Sequence, residues 1–93
     1  MILEIVSPEA KLFSGDVTSV SLPGVAGSFQ MLNYHAPIVS TLKEGLIKLV
    51  ATNFVFSKES ANKFTRVNDQ NYTLKINSGT IEMKDNKVIV LVD

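Results

Sequence analysis

The sequence predicts an all-β fold, a sandwich or a barrel built from nine or ten short strands. Apolar and polar side chains alternate with a period of two along much of the chain, which is typical of strands with one buried face. Turn-forming residues interrupt this alternation every few residues, a spacing that favours sandwiches and barrels. No long window keeps a helical period, so we expect no helix.

The first half of the chain contains five predicted strands. Pro8 ends the first strand, and Gly15-Asp16 is predicted to form a turn because glycine adopts turn dihedrals without steric cost. Pro23-Gly24 ends the third strand, and a turn at 33–35 precedes Pro37. The five predicted strands lie at 2–6, 11–14, 17–22, 27–32 and 38–42.

The second half contains five more candidate strands, at 46–50, 53–57, 72–76, 80–84 and 87–92. Lys43-Glu44-Gly45 forms a tight reversal before the first of them, and Asp85-Asn86 suits a tight hairpin turn between the last two. Residues 58–70 are polar and read as a long exposed loop or an extended hairpin tip. We therefore expect one domain, 1–93, with a loop or hairpin extension near residues 52–71.

Size and composition bound the function. The 93 residues fit one domain, and 45% hydrophobic residues allow a real core. Nine basic and nine acidic residues are scattered, which argues against nucleic acid and against a polybasic membrane patch. There is no cysteine, so disulfides and thiolate metal sites are excluded. No apolar run is long enough to insert into a membrane and no signal peptide is evident, so a cytoplasmic location is expected.

Side chains suited to catalysis are few. A catalytic triad would have to use His35, the one histidine, for which a role in fixing the turn is more common. The acidic residues Asp69, Asp85 and Asp93 lie far apart at turn-like positions, where aspartate usually caps backbone. The glycines at 24 and 27 join strands instead of opening a helix, so a phosphate loop is not indicated. We expect no enzyme activity, no cofactor and no metal. The remaining function is recognition of a partner through the surface of the β scaffold.

The segment 24–37 reads Gly-Val-Ala-Gly-Ser-Phe-Gln-Met-Leu-Asn-Tyr-His-Ala-Pro and resembles a signature of the epsilon subunit of F-type ATP synthase. The family pattern runs roughly Gly-x-x-Gly-x-(Phe/Leu)-Gly-(Ile/Val)-(Leu/Tyr)-Pro-(Gly/Asn)-His-Ala-Pro. Shorter blocks at 6–15, 42–47, 78–82 and 88–93 resemble the family in the same order. Six positions of the signature match without gaps: Gly24, Gly27, Phe29, His35, Ala36 and Pro37.

The sequence departs from the family pattern in three respects. Gln30, Asn33 and Tyr34 stand where the family usually has glycine, proline and glycine. Ser28 stands where the family often has an acidic residue that faces the rotor ring. The resemblance covers the family's β-sandwich part and not its C-terminal helical pair, which in the family is associated with inhibition of ATP hydrolysis and, in some members, with ATP binding, so neither activity is assigned to this sequence.

The resemblance implies a flattened sandwich of about ten short, mostly antiparallel strands in two sheets. In the family this domain is a non-catalytic part of the central stalk, held between the gamma subunit and the ring of c subunits. It turns with the rotor and helps to couple proton-driven rotation to ATP synthesis. The expected partners are therefore gamma and the c-ring, and the expected location is peripheral, at the cytoplasmic face of the cell membrane.

The predicted partner surface is the corner at 28–37 together with the strand at 38–42. Large side chains crowd a turn there that would ordinarily be polar, although Met31 and Leu32 have a core position as an equal alternative. The predicted interface residues are Ser28, Met31, Leu32, Tyr34, His35, Ala36, Pro37 and Ser40.

Two further alternatives remain open on the sequence alone. Residues 58–70 are either a contact arm that reaches a stalk neighbour or, more commonly for such a segment, a solvated loop. The main rival function is a generic β-sandwich module that binds peptide or carbohydrate, and a groove lined with Trp and Tyr would favour it. The chain contains no Trp and two Tyr, so this rival is the weaker prediction, and an enzyme is weaker still.

Overall fold

The computed structural model describes residues 1–33, 36–54 and 63–93, with the backbone alone at 52–54. All regular structure in these ranges is β, which confirms the predicted fold class, and they contain no helix long and apolar enough to cross a membrane. The nine strands are β1 (Ile2–Val6), β2 (Lys11–Gly24), β3 (Gly27–Leu32), β4 (Ile38–Leu42), β5 (Gly45–Phe54), β6 (Phe64–Arg66), β7 (Asn71–Ile76), β8 (Gly79–Lys84) and β9 (Lys87–Val92).

The long strand β2 organises the sandwich. Its first half pairs with β1, its second half pairs with β3, and β5 pairs with its middle, from Gly15 to Ser21. The hydrogen-bonded order is β1-β9-β8-β4-β2-β5-β7-β6, with β3 added on β2. One outer layer is therefore β4, β8, β9 and β1, and the other is β3, the second half of β2, β5, β7 and β6. The pairing is antiparallel except between β1 and β9, as the prediction of mostly antiparallel strands requires.

The predicted turn at Gly15-Asp16 is wrong, because β2 runs straight through it. Gly15 pairs with Leu3 of β1 on one side and with Phe54 of β5 on the other, so neighbours on both sides hold it extended. The register against β5 shifts just after Asp16, which marks a bulge. A bulge bends and twists a strand without reversing it. This bend lets β2 leave one layer and enter the other.

The structure confirms the hairpin turn predicted between the last two strands. Asp85 and Asn86 have φ angles of 54° and 59°, so both adopt the left-handed conformation that a two-residue type I′ turn requires. Aspartate and asparagine tolerate this region better than most residues. The turn sets the register of β8 against β9, in which Ile81 lies opposite Val90.

The core lies between the layers and is filled by alternate residues of the strands. Leu3, Ile5, Val20, Ile47 and Val90 are each fully buried. Each such side chain stabilises the fold by about 1.5–3 kcal/mol relative to exposure. The apolar sets of β1, β8 and β9 therefore pack against those of β2, β5 and β7 in one continuous core.

Strand β6 occupies part of the segment near 52–71 that was predicted as a loop or hairpin extension. Phe64 is buried, and its ring centroid lies 6.1 Å from that of Phe13 on β2. Phe64–Arg66 pairs with β7 as a short edge strand. Residues 55–62, which form the centre of the predicted extension, lie outside the described residues. The prediction of an extension therefore stays a prediction there.

Candidate subunit interface

The chain passes from one layer to the other at the corner between β3 and β4. Strand β3 pairs with β2, whereas β4 pairs with β8 across the molecule. Of the corner residues, Asn33, Ala36 and Pro37 are described and all are exposed. Tyr34 and His35, both predicted interface residues, lie outside the described residues. The corner therefore lies at one end of the sandwich, where it is accessible to a partner.

Two exposed apolar side chains flank this corner. Leu32, at the end of β3, is 54% exposed, and Val39, near the start of β4, is 77% exposed. Val39 is the most exposed large hydrophobic residue in the described part of the chain. We call Leu32, Ala36, Pro37 and Val39 the corner patch. Leu32 and Val39 lie at the same end of the sandwich but on the outward sides of different layers, since Leu32 is opposite Ser19 of β2 and Val39 is opposite Glu82 of β8.

The structure separates two neighbours that the sequence analysis grouped together. Met31 is fully buried and lies opposite Val20 of β2, so it occupies a core position, the second of the two alternatives predicted for it. Leu32, the next residue, points to solvent because successive side chains of a strand alternate. Of the other predicted interface residues, Ser28 is exposed and Ser40 is half-buried. The corner patch therefore contains Leu32 but not Met31.

Sequence analysis did not single out Val39. Its neighbour Ser40 was chosen instead, although the strand 38–42 as a whole was predicted to face partners. The signal was available in the alternation, since Leu42 is buried and Ser40 lies on the same side of the strand as Leu42. Val39 must therefore point outward, where it lies opposite Glu82 of β8.

Asn33 ties the corner to the rest of the fold. Its Oδ1 accepts a hydrogen bond of 2.6 Å from the α-ammonium group of Met1. The same ammonium group donates to Oδ1 of Asp16 at 3.0 Å and to the carbonyl of Val17 at 3.3 Å. Charge-assisted hydrogen bonds of this kind are stronger than neutral ones. Asn33 thus anchors the corner against the bulge of β2.

The outer face of the layer formed by β3, β2, β5 and β7 is rich in hydroxyl groups and lysines. Ser21 lies opposite both Gln30 and Lys48, Lys48 lies opposite Thr73, and Leu46 lies opposite Lys75. We call this surface the lysine face. Its outward side chains on the described strands include no carboxylate, and they are Ser19, Ser21, Ser28, Gln30, Leu32, Leu46, Lys48, Val50, Asn71, Thr73 and Lys75.

A shallow hollow of about 310 Å³ lies on the lysine face. It is lined by Ser21, Leu22, Ser28, Phe29, Gln30, Leu46 and Lys48. Leu22 and Phe29 lie opposite each other on the inward side of their strands, so Leu46 is the apolar side chain that points outward at the hollow.

The opposite outer face, on β1, β8 and β9, carries charges of both signs. Glu4 lies 3.3 Å from Nζ of Lys87 and 3.9 Å from Nζ of Lys11. Glu82 and Lys84 are exposed on the neighbouring strand β8. We call this surface the paired face. Its charges are partly compensated within the domain.

The chain matches, over residues 1–93, the family model described as the β-sandwich domain of the ATP synthase delta/epsilon chain. The ATP synthase epsilon chain of Chlorobium limicola is 36% identical over 91 residues, which cover 98% of this chain and 86% of that protein. The epsilon chain of Campylobacter curvus is 37% identical over 91 residues and is covered to 59% of its length. The chain thus spans between about three fifths and nearly nine tenths of these relatives.

A solved structure shares the fold. It is the cryo-EM structure of the central stalk and c-ring of the Tetrahymena thermophila mitochondrial ATP synthase, to which the chain aligns with a TM-score of 0.69. The alignment covers 99% of this chain and 62% of that one, at 16% identity. At this identity the likeness supports the sandwich architecture and no more.

Proposed function

This chain belongs to the family of the ATP synthase delta/epsilon-chain β-sandwich domain, and we propose that it serves in the central stalk by binding the gamma subunit and the c-ring. The resemblance seen in the sequence is thereby confirmed over the whole chain. Its relatives are named epsilon chains of the synthase, which confirms the prediction of a synthase subunit that is not the catalytic one. The match also displaces the rival of a generic peptide- or carbohydrate-binding module.

The corner patch is the observation that supports partner binding most directly. Leu32 and Val39 are exposed at the same end of the sandwich, whereas Met31 and Leu42 on the same two strands are buried. Removing such apolar side chains from water on binding gains about 25 cal/mol for each Å² buried. Ala36 and Pro37 extend this surface with small, rigid groups that lose little entropy on binding.

The fold suits a part that transmits rotation. The described strands pack alternate side chains into one core, and cores at this density resist deformation. The long strand β2 belongs to both layers, so a load applied to one layer reaches the other through covalent backbone. We propose that this stiffness helps to couple proton-driven rotation to ATP synthesis, at the cytoplasmic face of the membrane.

We also propose that residues 1–93 form a single domain. The described strands share one hydrogen-bonded network and one core, and the family match spans the same residues.

The proposal is tested by titrating the purified chain with the gamma subunit and with the c-ring of its own synthase. Leu32→Asp and Val39→Asp should each weaken stalk assembly by tenfold or more, since a buried unpaired charge costs several kcal/mol at an interface. Val67→Asp is the matched control, because Val67 is 62% exposed and lies near β6, away from the corner patch. Wild-type chain that binds neither partner would refute the proposal, and equal losses in all three variants would refute the role of the corner patch.

A further inference from the structure

Strand β3 has an open edge, since among the described residues it pairs with β2 alone. The carbonyl of Pro23 on β2 accepts a hydrogen bond from the amide of Lys43, so it points away from β3. Residues opposite each other in an antiparallel ladder either both face the partner strand or both face away. Pro23 lies opposite Ser28, so the N–H and C=O groups of Ser28 point to the open edge. By alternation, those of Gln30 and Leu32 point there too.

The ladder between β2 and β5 gives the same direction independently. The amide of Ala51 on β5 donates to the carbonyl of Gln70, so Ala51 faces β7 and Lys48, three residues earlier, faces β2. Lys48 lies opposite Ser21, which therefore faces β5 and not β3. Since Ser21 lies opposite Gln30, the peptide groups of Gln30 are not used by β2 and are available at the open edge.

This edge lacks the features that keep copies of a protein apart. Natural sheets protect open edges with charged residues, proline, bulges or very short strands. Strand β3 reads Gly-Ser-Phe-Gln-Met-Leu, without a charge or a proline, and its pairing with β2 shows no register shift. Strand β6, at the other end of this layer, has three residues and carries Arg66. Pairing between copies is therefore opposed at β6 and unopposed at β3.

We propose that two copies of this chain pair their β3 strands antiparallel, across a two-fold axis at Gln30, so that their outer layers join into one sheet. In this register Gln30 lies opposite Gln30 of the second copy, and Ser28 lies opposite Leu32 of the second copy. It is the symmetric register that pairs all the residues whose peptide groups face the edge. Each of those N–H and C=O groups then gains a partner.

The side chains on the outward face fit this register. A primary amide carries both donors and an acceptor, so the two Gln30 side chains can bond to each other across the axis. The small side chain of Ser28 lies beside the larger Leu32 of the other copy, which covers part of an apolar group that is 54% exposed in the single chain. The strand is thus complementary to itself, as a two-fold interface requires.

Charge on the lysine face does not oppose the pairing. Gln30, Ser21 and Lys48 lie in one row across β3, β2 and β5. In the dimer the two Lys48 residues would stand five strand spacings apart, about 24 Å at ~4.8 Å each. This separation exceeds the Debye length of ~8 Å at physiological salt, so the lysines hardly repel each other.

Sedimentation velocity of the purified chain between ~1 μM and ~1 mM tests the proposal. One six-residue strand buries less area than the ~1,600 Å² of a standard interface, so we expect a weak dimer with a dissociation constant of about 10 μM to 1 mM. Gln30→Pro should raise this constant tenfold or more, because proline removes an N–H from the open edge and none from the ladder with β2. Circular dichroism confirms that the variant is folded.

Gln30→Lys and Gln30→Glu test the symmetry. Each variant alone places like charges directly opposite each other at the axis and should stay monomeric at low salt. A mixture of the two places opposite charges there and should form a heterodimer. Gln70→Lys is the matched control, because Gln70 is exposed and lies outside β3, and it should dimerise as the wild type does.

Three results would overturn the inference. The wild-type chain is monomeric at ~1 mM, Gln30→Pro and Gln30→Lys dimerise as strongly as the wild type, or the lysine and glutamate variants fail to pair with each other. A loss of the dimer in Gln70→Lys equal to that in Gln30→Lys would also count against it. These measurements use the chain alone, so the proposed binding to the gamma subunit and the c-ring stands or fails separately.

Discussion

The two outer faces of the sandwich use the same residue types in different ways. On the paired face, Glu4 brings Lys11 and Lys87 within 4 Å, so these charges interact within the domain. On the lysine face, Lys48 and Lys75 stand among hydroxyl groups with no carboxylate beside them on the described strands. The balanced total of nine basic and nine acidic residues conceals this difference. The comparison shows that the net charge of the chain does not reveal how its charges are distributed, because the strand register decides which charged side chains share a face.

The largest effect is expected within strand β3, where adjacent residues face the core and the lysine face. Met31→Ala should lower the free energy of unfolding by about 2–5 kcal/mol, because it leaves a cavity at a fully buried position. Leu32→Ala should change it by less than about 0.5 kcal/mol, since Leu32 is mostly exposed, yet it should weaken binding to a stalk partner. Urea denaturation and titrations with gamma and with the c-ring measure the two effects. A stable Met31→Ala variant would contradict the assigned strand orientation.

A smaller effect is expected on the paired face. Glu4→Gln removes the partner of Lys11 and Lys87 and should lower the free energy of unfolding by up to about 1 kcal/mol, less at high salt, because partly exposed ion pairs contribute little. Lys48→Gln on the lysine face should leave stability unchanged, since it breaks no such pair. Thermal denaturation at two salt concentrations separates the variants. Equal losses of stability would remove the distinction between the two faces.

Thr73→Glu should make the lysine face resemble the paired face. The new carboxylate lies opposite Lys48, and a cross-strand pair of opposite charge contributes about 0.2–1 kcal/mol. The lower strand propensity of glutamate offsets this gain, so stability should change by less than about 0.5 kcal/mol. Thermal denaturation at low and at high salt measures the change. A loss of stability of more than about 1 kcal/mol would contradict the register that places Thr73 opposite Lys48.

The smallest effect is expected from a change in the segment 55–62. Replacing residues 55–62 by a short Gly-containing turn should leave stalk assembly intact, because β6 and its contact between Phe64 and Phe13 are retained. Co-purification of the shortened chain with gamma and the c-ring measures the result. Loss of assembly by a folded variant would favour the alternative of a contact arm.

Much of the fold was predictable because it is local. Alternation located β3, β4, β7, β8 and β9, and the Asp85-Asn86 pair specified its own turn through the φ angles these residues tolerate. The Gly15-Asp16 prediction was wrong because glycine and aspartate favour turns only where nothing else holds the backbone. Here β1 and β5 pair with this segment from both sides. Pairing with distant strands keeps Gly15-Asp16 extended, and the local sequence gives no sign of this pairing.

The candidate interface was predictable only in part, for the same reason. The motif located the corner, but only the phase of the alternation distinguishes exposed Leu32 and Val39 from buried Met31 and half-buried Ser40. The bond between Asn33 and the ammonium group of Met1 joins residues 32 positions apart, so no local pattern indicates it. The lysine face likewise appears only once the strand register brings Lys48 and Lys75 together. Sequence patterns identify individual strands, whereas the residues that share a surface depend on how the strands pair.

The most direct test is hydroxyl-radical footprinting of the chain, alone and within an assembled stalk of gamma and c-ring. Leu32 and Val39 at the corner are 54% and 77% exposed, and Leu91 and Ile2, on the outward sides of β9 and β1, are 53% and 43% exposed. We predict that Leu32 and Val39 lose most of their reactivity on assembly while Leu91 and Ile2 keep theirs. Protection of Leu91 and Ile2, with Leu32 and Val39 still reactive, would contradict the proposed interface.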